Sequence, residues 1–372
     1  MATEMAGRNR KIRLGVLFGG KSGEHEVSLS SAASVMRALD PGEFEISAIG
    51  ITKAGRFATS GELRSMLPDD LRSRVTLCGA DPAAQGPPAA ALFAGVDSDR
   101  APEIIFPLLH GPYGEDGTIQ GLLEIAGLPY LGCGVLASAV GMDKDVMKRL
   151  FAHASLPIVP FLAESSYGLA DRLESIRQEA EARFGYPMFS KPANLGSSVG
   201  VFKIHDVSEF DNAVLASSRY DRKVIIEKGI DAREVECAIL GNDLPEASVV
   251  GEILPACEFY DYAAKYVNPD SRVEIPANID KRTAEEVRDL ALRAFKAIEG
   301  SGLARVDFFL ERRTGVVWLN EINTMPGFTS ISMYPKLWEA CGVPFNRLIR
   351  RLVDLGMERH SERAKHSEFA VT

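Results

Sequence analysis

Residues 305–323 read RVDFFLERRTGVVWLNEIN, and no other stretch limits the possible folds so tightly. Two runs of alternating aromatic and aliphatic residues flank Arg313-Thr314-Gly315, a three-residue hairpin loop with glycine ready for its left-handed position. In that register Arg312 pairs with Val316, Asp307 faces Glu321 and Arg305 faces Asn323. Strand alternation then sends Arg305, Asp307, Glu321 and Asn323 to one face. Two carboxylates directly opposed repel unless something cationic lies between them. Two readings stand at this point. Arg305 neutralises the pair as a surface cluster, or Asp307, Glu321 and the Asn323 carbonyl form a hard-oxygen set for Mg²⁺, which keeps nucleotide phosphates among its ligands. The metal is the favoured reading.

The rest of the chain divides by texture. IRLGVLF, FEISAIGI and EIIFPLLHG read as strands separated by helical periodicity, with Leu29, Ala33, Val35, Met36 and Leu39 near helical spacing. GTIQGLLEIAGLPYLG adds a helix and a short strand. Alternating strands and helices over roughly residues 10–140 imply a mostly parallel α/β unit, interrupted by the Ala-, Pro- and Gly-rich excursion of residues 78–100. After Met142 the pattern becomes α+β. Helices at Asp143–Ala154 and Leu169–Arg183 flank PMFSKP, and the strands VGVFKI, VIIEKG, EVECAIL and ASVVGEIL follow. A long helix at Thr283–Glu299 precedes the hairpin, and a final one lies near Phe345–Leu355. The tail HSERAKHSEFAVT reads as frayed. The fold class is therefore α/β followed by α+β with antiparallel sheets.

Two nucleotide motifs are decoys. GVLFGGKS fits G-x-x-x-x-G-K-[ST], but the residues that must form the phosphate loop include Val16, Leu17 and Phe18, which continue an apolar strand. Glu24 and Glu26 follow at once and repel phosphate. Gly132-Cys133-Gly134-Val135-Leu136-Ala137 fits G-x-G-x-x-A, yet the acid that a dinucleotide site wants about 20 residues on is absent. Glu24 has two readings: a favourable partner for a helix N-terminus, or the receiver of a substrate cation at the carboxyl edge of the sheet.

A better phosphate candidate is SKPANLGSSVGVFKI. Lys191 ends a strand, and Asn194–Ser198 make a glycine- and serine-rich turn whose N–H and hydroxyl groups can close over phosphates. A plain hairpin with a surface lysine is the alternative. Lys144, Lys191 and Lys265 can bring local positive charge to a chain whose net charge is −9. That overall charge argues against a nucleic-acid or anionic-membrane surface. Five scattered cysteines without a C-x-x-C fit a reducing cytosol, and the apolar run near the N-terminus is too short for a signal or membrane helix. A cytoplasmic protein is expected.

The stretches GGKSGEHEVSL, LHGPYGEDGTIQG, GCGVLASAVGMDK, KPANLGSSVGV, IIEKGIDAREVECAIL, FYDYAAKY, RVDFF and NEINTMPGFTSISMYPKL, in this order over residues 12–355, resemble the D-alanine–D-alanine ligase family of the ATP-grasp superfamily. The resemblance implies a Rossmann-like domain over residues 1–140, a central ATP-grasp subdomain over 141–227 and a C-terminal ATP-grasp domain with the metal site over 228–372. It implies ATP and two Mg²⁺ (or Mn²⁺) ions as cofactors, D-alanine as the small-molecule substrate, and a homodimer. It gives Lys144, Lys191, Ser197, Ser198 and Lys265 to the phosphates, Glu227, Lys228 and Tyr260 to the nucleotide, and Glu234 to the ribose. Asp307, Glu321 and Asn323 would hold the metals, in agreement with the hairpin. Glu24 would receive the ammonium of the first D-alanine, with His110 nearby. Arg305 and the Gly327 N–H would stabilise an oxyanion, and Ser332 would meet the second carboxylate. Tyr266 and Ser197 would link with Glu24 through a closing loop.

The chemistry fits these groups. A carboxylate must be activated by the γ-phosphate of ATP before an amine can attack it, which calls for charge neutralisation, an oxyanion donor and exclusion of water. Three rivals remain: a D-alanine–D-lactate or D-alanine–D-serine ligase on the same fold, a non-catalytic nucleotide-binding protein, and a nicotinamide dehydrogenase. Tyr266 after Lys265 resembles the D-alanine-using members. Ser190 before Lys191, where an aliphatic residue is more usual, and the longer 78–100 stretch depart from the family pattern.

Overall fold

A computed structural model describes residues 10–80, 101–254 and 272–368. Contacts gather them into two compact units. The first draws on residues up to 135, 241–243 and those from 325 onward; the second holds 136–240 and 244–324.

The first unit is built on a parallel sheet of β1 (Ile12–Gly19), β2 (Phe44–Ile51), β3 (Thr76–Leu77) and β4 (Ile104–Leu108), in the order β3-β2-β1-β4. Val16, Leu17 and Phe18 are fully buried in β1. A strand covered on both faces must be apolar throughout, which is why this run imitates a phosphate loop without being one. Helix α1 (His25–Ala38) packs on β1. Its buried Ser28 accepts from Gly19 N–H at 2.8 Å and donates to Leu108 O, tying the helix start to the carboxyl ends of β1 and β4. Helix α2 (Ser60–Met66) starts on a Thr59/Glu62 capping box, and α3 (Thr118–Ile125) buries Ile119 and Leu123 against Leu17 and Ile105. The short strand expected after α3 is only an isolated bridge between Tyr130 and Ile105.

The second unit begins with α4 (Val135–Met142) and α5 (Lys144–His153), the latter capped by Asp143, which accepts from Asp145 and Val146 N–H at 3.1 Å. One antiparallel sheet follows, from β5 (Phe161–Ser165), β6 (Met188–Pro192), β7 (Phe202–Ile204) and β8 (Lys223–Lys228), ordered β5-β8-β6-β7. Helices α6 (Leu173–Arg183) and α7 (Val207–Ser217) cover it over a core of Ile176, Met188, Phe210 and Ile226. The strand expected over VGVFKI shortens to β7, because the serine-rich turn extends to Gly200, whose φ is +74°.

The second sheet is β11-β10-β9-β12-β13, from β9 (Ala232–Gly241), β10 (Glu246–Leu254), β11 (Arg272–Glu274), β12 (Gly302–Glu311) and β13 (Val317–Asn323). Helix α8 (Lys281–Ala297) lies on it, burying Val287, Leu290, Ala294 and Phe295. The segment between α5 and β5 ties the two sheets together. Pro157 O accepts from Leu319 N–H at 2.7 Å, and Pro160 O accepts from Lys228 N–H at 3.0 Å.

The hairpin corrects one expectation and keeps another. At its tip Leu310 pairs with Val317, and Glu311 N–H donates to Val316 O, so the expected Arg312–Val316 pair does not form. The loop is one residue longer, with Gly315 at φ +71°. A register shift between Asp307 and Phe308, taken up at Asn320, cancels the offset. Asp307 therefore faces Glu321 and Arg305 faces Asn323, as read from the sequence.

The chain then returns to the first unit through α9 (Met333–Ala340) and α10 (Phe345–Glu368). The tail expected to fray is helical as far as Glu368. Arg359 holds it: the guanidinium donates to Gly132 O and, at 3.1 Å, to Tyr130 O, and lies 4.3 Å from the Tyr130 ring centre. Arg363 pairs with Glu124.

Candidate functional site

In the second unit the expected residues gather around α5, β6, β8 and the hairpin. Lys144 opens α5, and its Nζ donates to Leu195 O at 2.8 Å and lies 3.4 Å from Glu321 Oε2. The ammonium thus touches both the serine-rich turn and the acidic hairpin. In that turn Ser197 and Ser198 hold φ of +52° and +57°, a left-handed conformation that serine adopts only when its surroundings impose it. Asn194 anchors the turn, its N–H and Nδ2 donating to Asp221 Oδ2 at 2.8 and 2.9 Å.

Lys191 on β6 is buried, with Nζ 2.5 Å from Glu227 Oε2. The other Glu227 oxygen pairs with Lys148, whose side chain is fully buried. Burial alone would push the Glu227 carboxyl up; the Lys148 and Lys191 ammonium groups outweigh it and hold it below the usual range. Burial pulls Lys148 down from its ordinary value, with Glu227 opposing. Lys228 follows on β8 with an exposed side chain, and Glu234 lies half-buried on β9.

On the hairpin Arg305 donates from Nε and Nη2 to Asp307 Oδ1 and Oδ2, both at 2.7 Å, and its Nε is 2.9 Å from Glu236 Oε2. Burial would lower the guanidinium pKa, but Asp307, Glu236 and Glu321 drive it well above normal. Asn323 Nδ2 donates to Asp307 Oδ2 at 2.9 Å. Among the described residues no group of three or more His, Cys, Asp or Glu is assembled for a metal ion. The hairpin offers two carboxylates and an amide, a small hard-oxygen set of the kind that suits Mg²⁺ when phosphates complete its shell.

The first unit carries Glu24, His110, Gly327 and Ser332. Glu24 sits just before α1, its N–H donating to Ser22 Oγ at 3.2 Å, while Ser22 donates to His110 O at 2.6 Å. Gly111 is at φ +74°, and a Cβ there would come 2.7 Å from Glu24 Oε2, so the carboxylate lies against this glycine. His110 is buried, and burial pulls its pKa down against the influence of Glu24. Its Nδ1 lies 3.1 Å from Met325 O, which can only accept; Nδ1 therefore carries the proton, and Nε2 accepts from Ser31 Oγ at 3.1 Å. Ser332 precedes α9, and its Oγ accepts from Thr329 N–H at 3.1 Å. A Cβ on Gly327 would stand 3.2 Å from that hydroxyl. Tyr260, Lys265 and Tyr266 lie outside the described residues.

Profiles described as D-ala D-ala ligase N-terminus and D-ala D-ala ligase C-terminus match residues 13–133 and 150–354. The chain belongs to the D-ala D-ala ligase family. A D-alanine--D-alanine ligase of Heliobacterium modesticaldum is 51% identical, over 96% of this chain and 98% of that protein. One from Acetivibrio thermocellus is 47% identical, over 95% and 98%. Among solved structures, the D-alanine-D-alanine ligase from Coxiella burnetii superposes with a TM-score of 0.81 at 36% identity, covering 96% of this chain and 97% of that one. The VanG D-Ala:D-Ser ligase from Enterococcus faecalis gives 0.79 at 34%, covering 93% and 100%. The parallel sheet followed by two antiparallel sheets is the architecture expected of this ATP-grasp family.

Sequence reading missed two charged residues of the second unit. Lys148 is one helical turn beyond Lys144, so the two share a face of α5, and that spacing was the available signal. Glu236 sits on the β9 strand of the same sheet as Arg305, a pairing that no local pattern reveals.

Proposed function

We propose that the chain joins two D-alanines to D-alanyl-D-alanine with conversion of ATP to ADP and phosphate, supplying the dipeptide for peptidoglycan precursors. The observation that carries this reading is the hairpin register, which sets Asp307 against Glu321 and Arg305 against Asn323 in a chain of this family.

Lys144 and Lys191, with the turn at Ser197 and Ser198, take the phosphates. Glu227 and Lys228 lie at the adenine, and Glu234 at the ribose. Asp307, Glu321 and Asn323 hold divalent cations, two Mg²⁺ in this reading, with Mn²⁺ able to substitute. When bound, such ions supply charge neutralisation at the transferring phosphoryl group. Glu24 takes the ammonium of the first D-alanine. A carboxylate oxygen of that D-alanine attacks the γ-phosphorus, ADP leaves, and an acyl phosphate forms. The amine of the second D-alanine, held through its carboxylate at Ser332, attacks the acyl carbon. Arg305 and the Gly327 N–H stabilise the resulting oxyanion, and collapse expels phosphate. His110, neutral and fixed by Ser31 and Met325, supports the loop next to Glu24. Tyr260, Lys265 and Tyr266 complete the set, Tyr266 with Ser197 closing the site. Among the described residues no helix is long and apolar enough to cross a membrane. Small-molecule substrates, a cytoplasmic location and a homodimer complete the proposal.

The test is phosphate release from ATP and Mg²⁺ with D-alanine, with L-alanine, with D-alanine plus D-lactate or D-serine, and with no amino acid, the product being weighed by mass spectrometry. Release with D-alanine matched by dipeptide is the expected result. A mixed product favoured with D-lactate or D-serine overturns the substrate assignment. No release in any mixture overturns catalysis and leaves a nucleotide-binding protein. Chelating the divalent cation abolishes turnover, and returning Mg²⁺ restores it.

A further inference from the structure

Lys148 has no place in the chemistry above, yet it is among the largest fully buried side chains of the protein. A lysine out of water is tolerated only when its charge is matched. Here the match is shared. Glu227 gives one carboxylate oxygen to Lys148 and the other to Lys191. The carboxylate projects from β8 between Phe161 on β5 and Phe189 on β6, and the Lys148 Nζ lies 5.7 Å from the Phe161 ring centre. Apolar walls and burial keep solvent from screening this cluster.

The charge arithmetic gives the pair its meaning. With Lys148 present, two ammonium groups meet one carboxylate, and the cluster keeps one positive charge. Without it, Glu227 would cancel Lys191 entirely. Glu227 also could not hold Lys191 in one place while leaving its charge available, because a lone carboxylate would draw the ammonium into a two-centre pair. We propose that Lys148 is a positioning residue for the nucleotide site: by occupying one oxygen of Glu227 it fixes the carboxylate and leaves Lys191 with an uncancelled charge for a polyphosphate. Lys148 itself touches no ligand. The inference rests on the reading of Lys191 as a phosphate-binding residue; without Lys148, Lys191 still pairs with Glu227 and keeps the carboxylate by the adenine, so the loss falls on phosphate charge rather than on the adenine or ribose.

The experiment compares Lys148→Met, Lys148→Gln and Lys148→Arg with the unaltered chain by calorimetric binding of ATP and of adenosine in Mg²⁺, alongside thermal melts. Both neutral variants are expected to weaken ATP by about tenfold or more, the scale of one unscreened charge at short range, while adenosine binding holds within about twofold and Lys148→Arg recovers ATP affinity. Unchanged ATP affinity in the folded neutral variants overturns the inference. So does a parallel loss of ATP and adenosine, which marks Lys148 as a mere support of the sheet. If neither neutral variant folds, the charge is a requirement of the fold and the inference also falls. An unaltered chain that binds neither compound overturns the nucleotide reading, and this inference with it.

Discussion

Replacing Gly111 with alanine tests the assignment of Glu24 without touching Glu24. At φ +74° an L-residue pays roughly 1–2 kcal/mol for the left-handed backbone. The new methyl would stand 2.7 Å from Glu24 Oε2 and 3.1 Å from Ser22 Cβ. An ordinary C···O contact needs about 3.4 Å, so one partner must retreat by roughly 0.5–1 Å. The carboxylate is the far end of a flexible side chain and yields more readily than backbone. The stability loss therefore stays near the backbone cost, while Glu24 is displaced. A charge-assisted hydrogen bond to a substrate ammonium contributes about 1.5–3 kcal/mol, and losing it corresponds to about 10–100-fold in the KM for D-alanine. The assay is D-alanine-dependent phosphate release at saturating ATP, with the KM for ATP as the internal control and a thermal melt as the measure of stability. A lowered melting point together with unchanged KM values would refute the placement of Glu24 at the ammonium.

Three further outcomes are expected. Glu321→Gln removes one of the two opposed carboxylates and reduces turnover by about two orders of magnitude with the fold intact, since phosphoryl transfer depends on the charges placed there; wild-type turnover in the variant would sink the metal assignment. Gly356→Ala in α10 gains about 0.5–1 kcal/mol of helix preference, but its Cβ would meet Ile104 Cδ1 and the backbone Tyr130 O at 2.9 Å; overpacking of about 1–3 kcal/mol against a carbonyl that cannot swing away lowers the melting point and leaves the KM for ATP unchanged. His110 is held below its ordinary value of 6.5 by burial, so the unfolded chain binds the extra proton; its contribution is complete above pH 6.5 and is lost as pH falls toward the depressed folded value, with a slope of up to about 1.4 kcal/mol per pH unit. Urea unfolding across that window should show the slope in the wild type and a flatter line in His110→Asn; equal slopes would exclude His110 as its source.

The hairpin shows what a sequence can and cannot disclose. Strand identity was legible because alternation is a local property, and the pairing of Asp307 with Glu321 emerged in its correct register. The tip did not, since three- and four-residue loops both accept a glycine in the left-handed region. The shift at Asn320 had a visible trace: Leu319 and Ile322 are both buried although three positions apart, which an unbroken alternation forbids. An unshifted register would have set the buried Phe308 opposite Asn320; the bulge gives it Leu319 instead. Similar reasoning explains the tail. His360–Glu368 looked frayed because its composition is polar, and the contacts that order this end of the helix come from Arg359 and Arg363 reaching main-chain and acidic groups far away in sequence.

An acidic chain can receive a polyanion only by sorting its charges, and the second unit does so in two groups. Around the sheet of β6 and β8, Lys148 and Lys191 outnumber Glu227; around the hairpin, Glu236, Asp307 and Glu321 outnumber Arg305 and Lys144. The first group is left positive and the second negative, each by one charge. A triphosphate alone matches only the first. A triphosphate carrying divalent cations on its terminal phosphates matches both, with the bare end toward the lysines and the metal-bearing end toward the carboxylates. The same sorting would orient a nucleotide bound there, since reversing it would set cations against Lys191 and phosphate oxygens against Asp307. ATP without a divalent ion should therefore bind more weakly than ATP with one, and Glu321→Gln should narrow that difference. Calorimetric titration of both forms into wild type and variant measures it, and equal affinity of the wild type for both would contradict the division of charge.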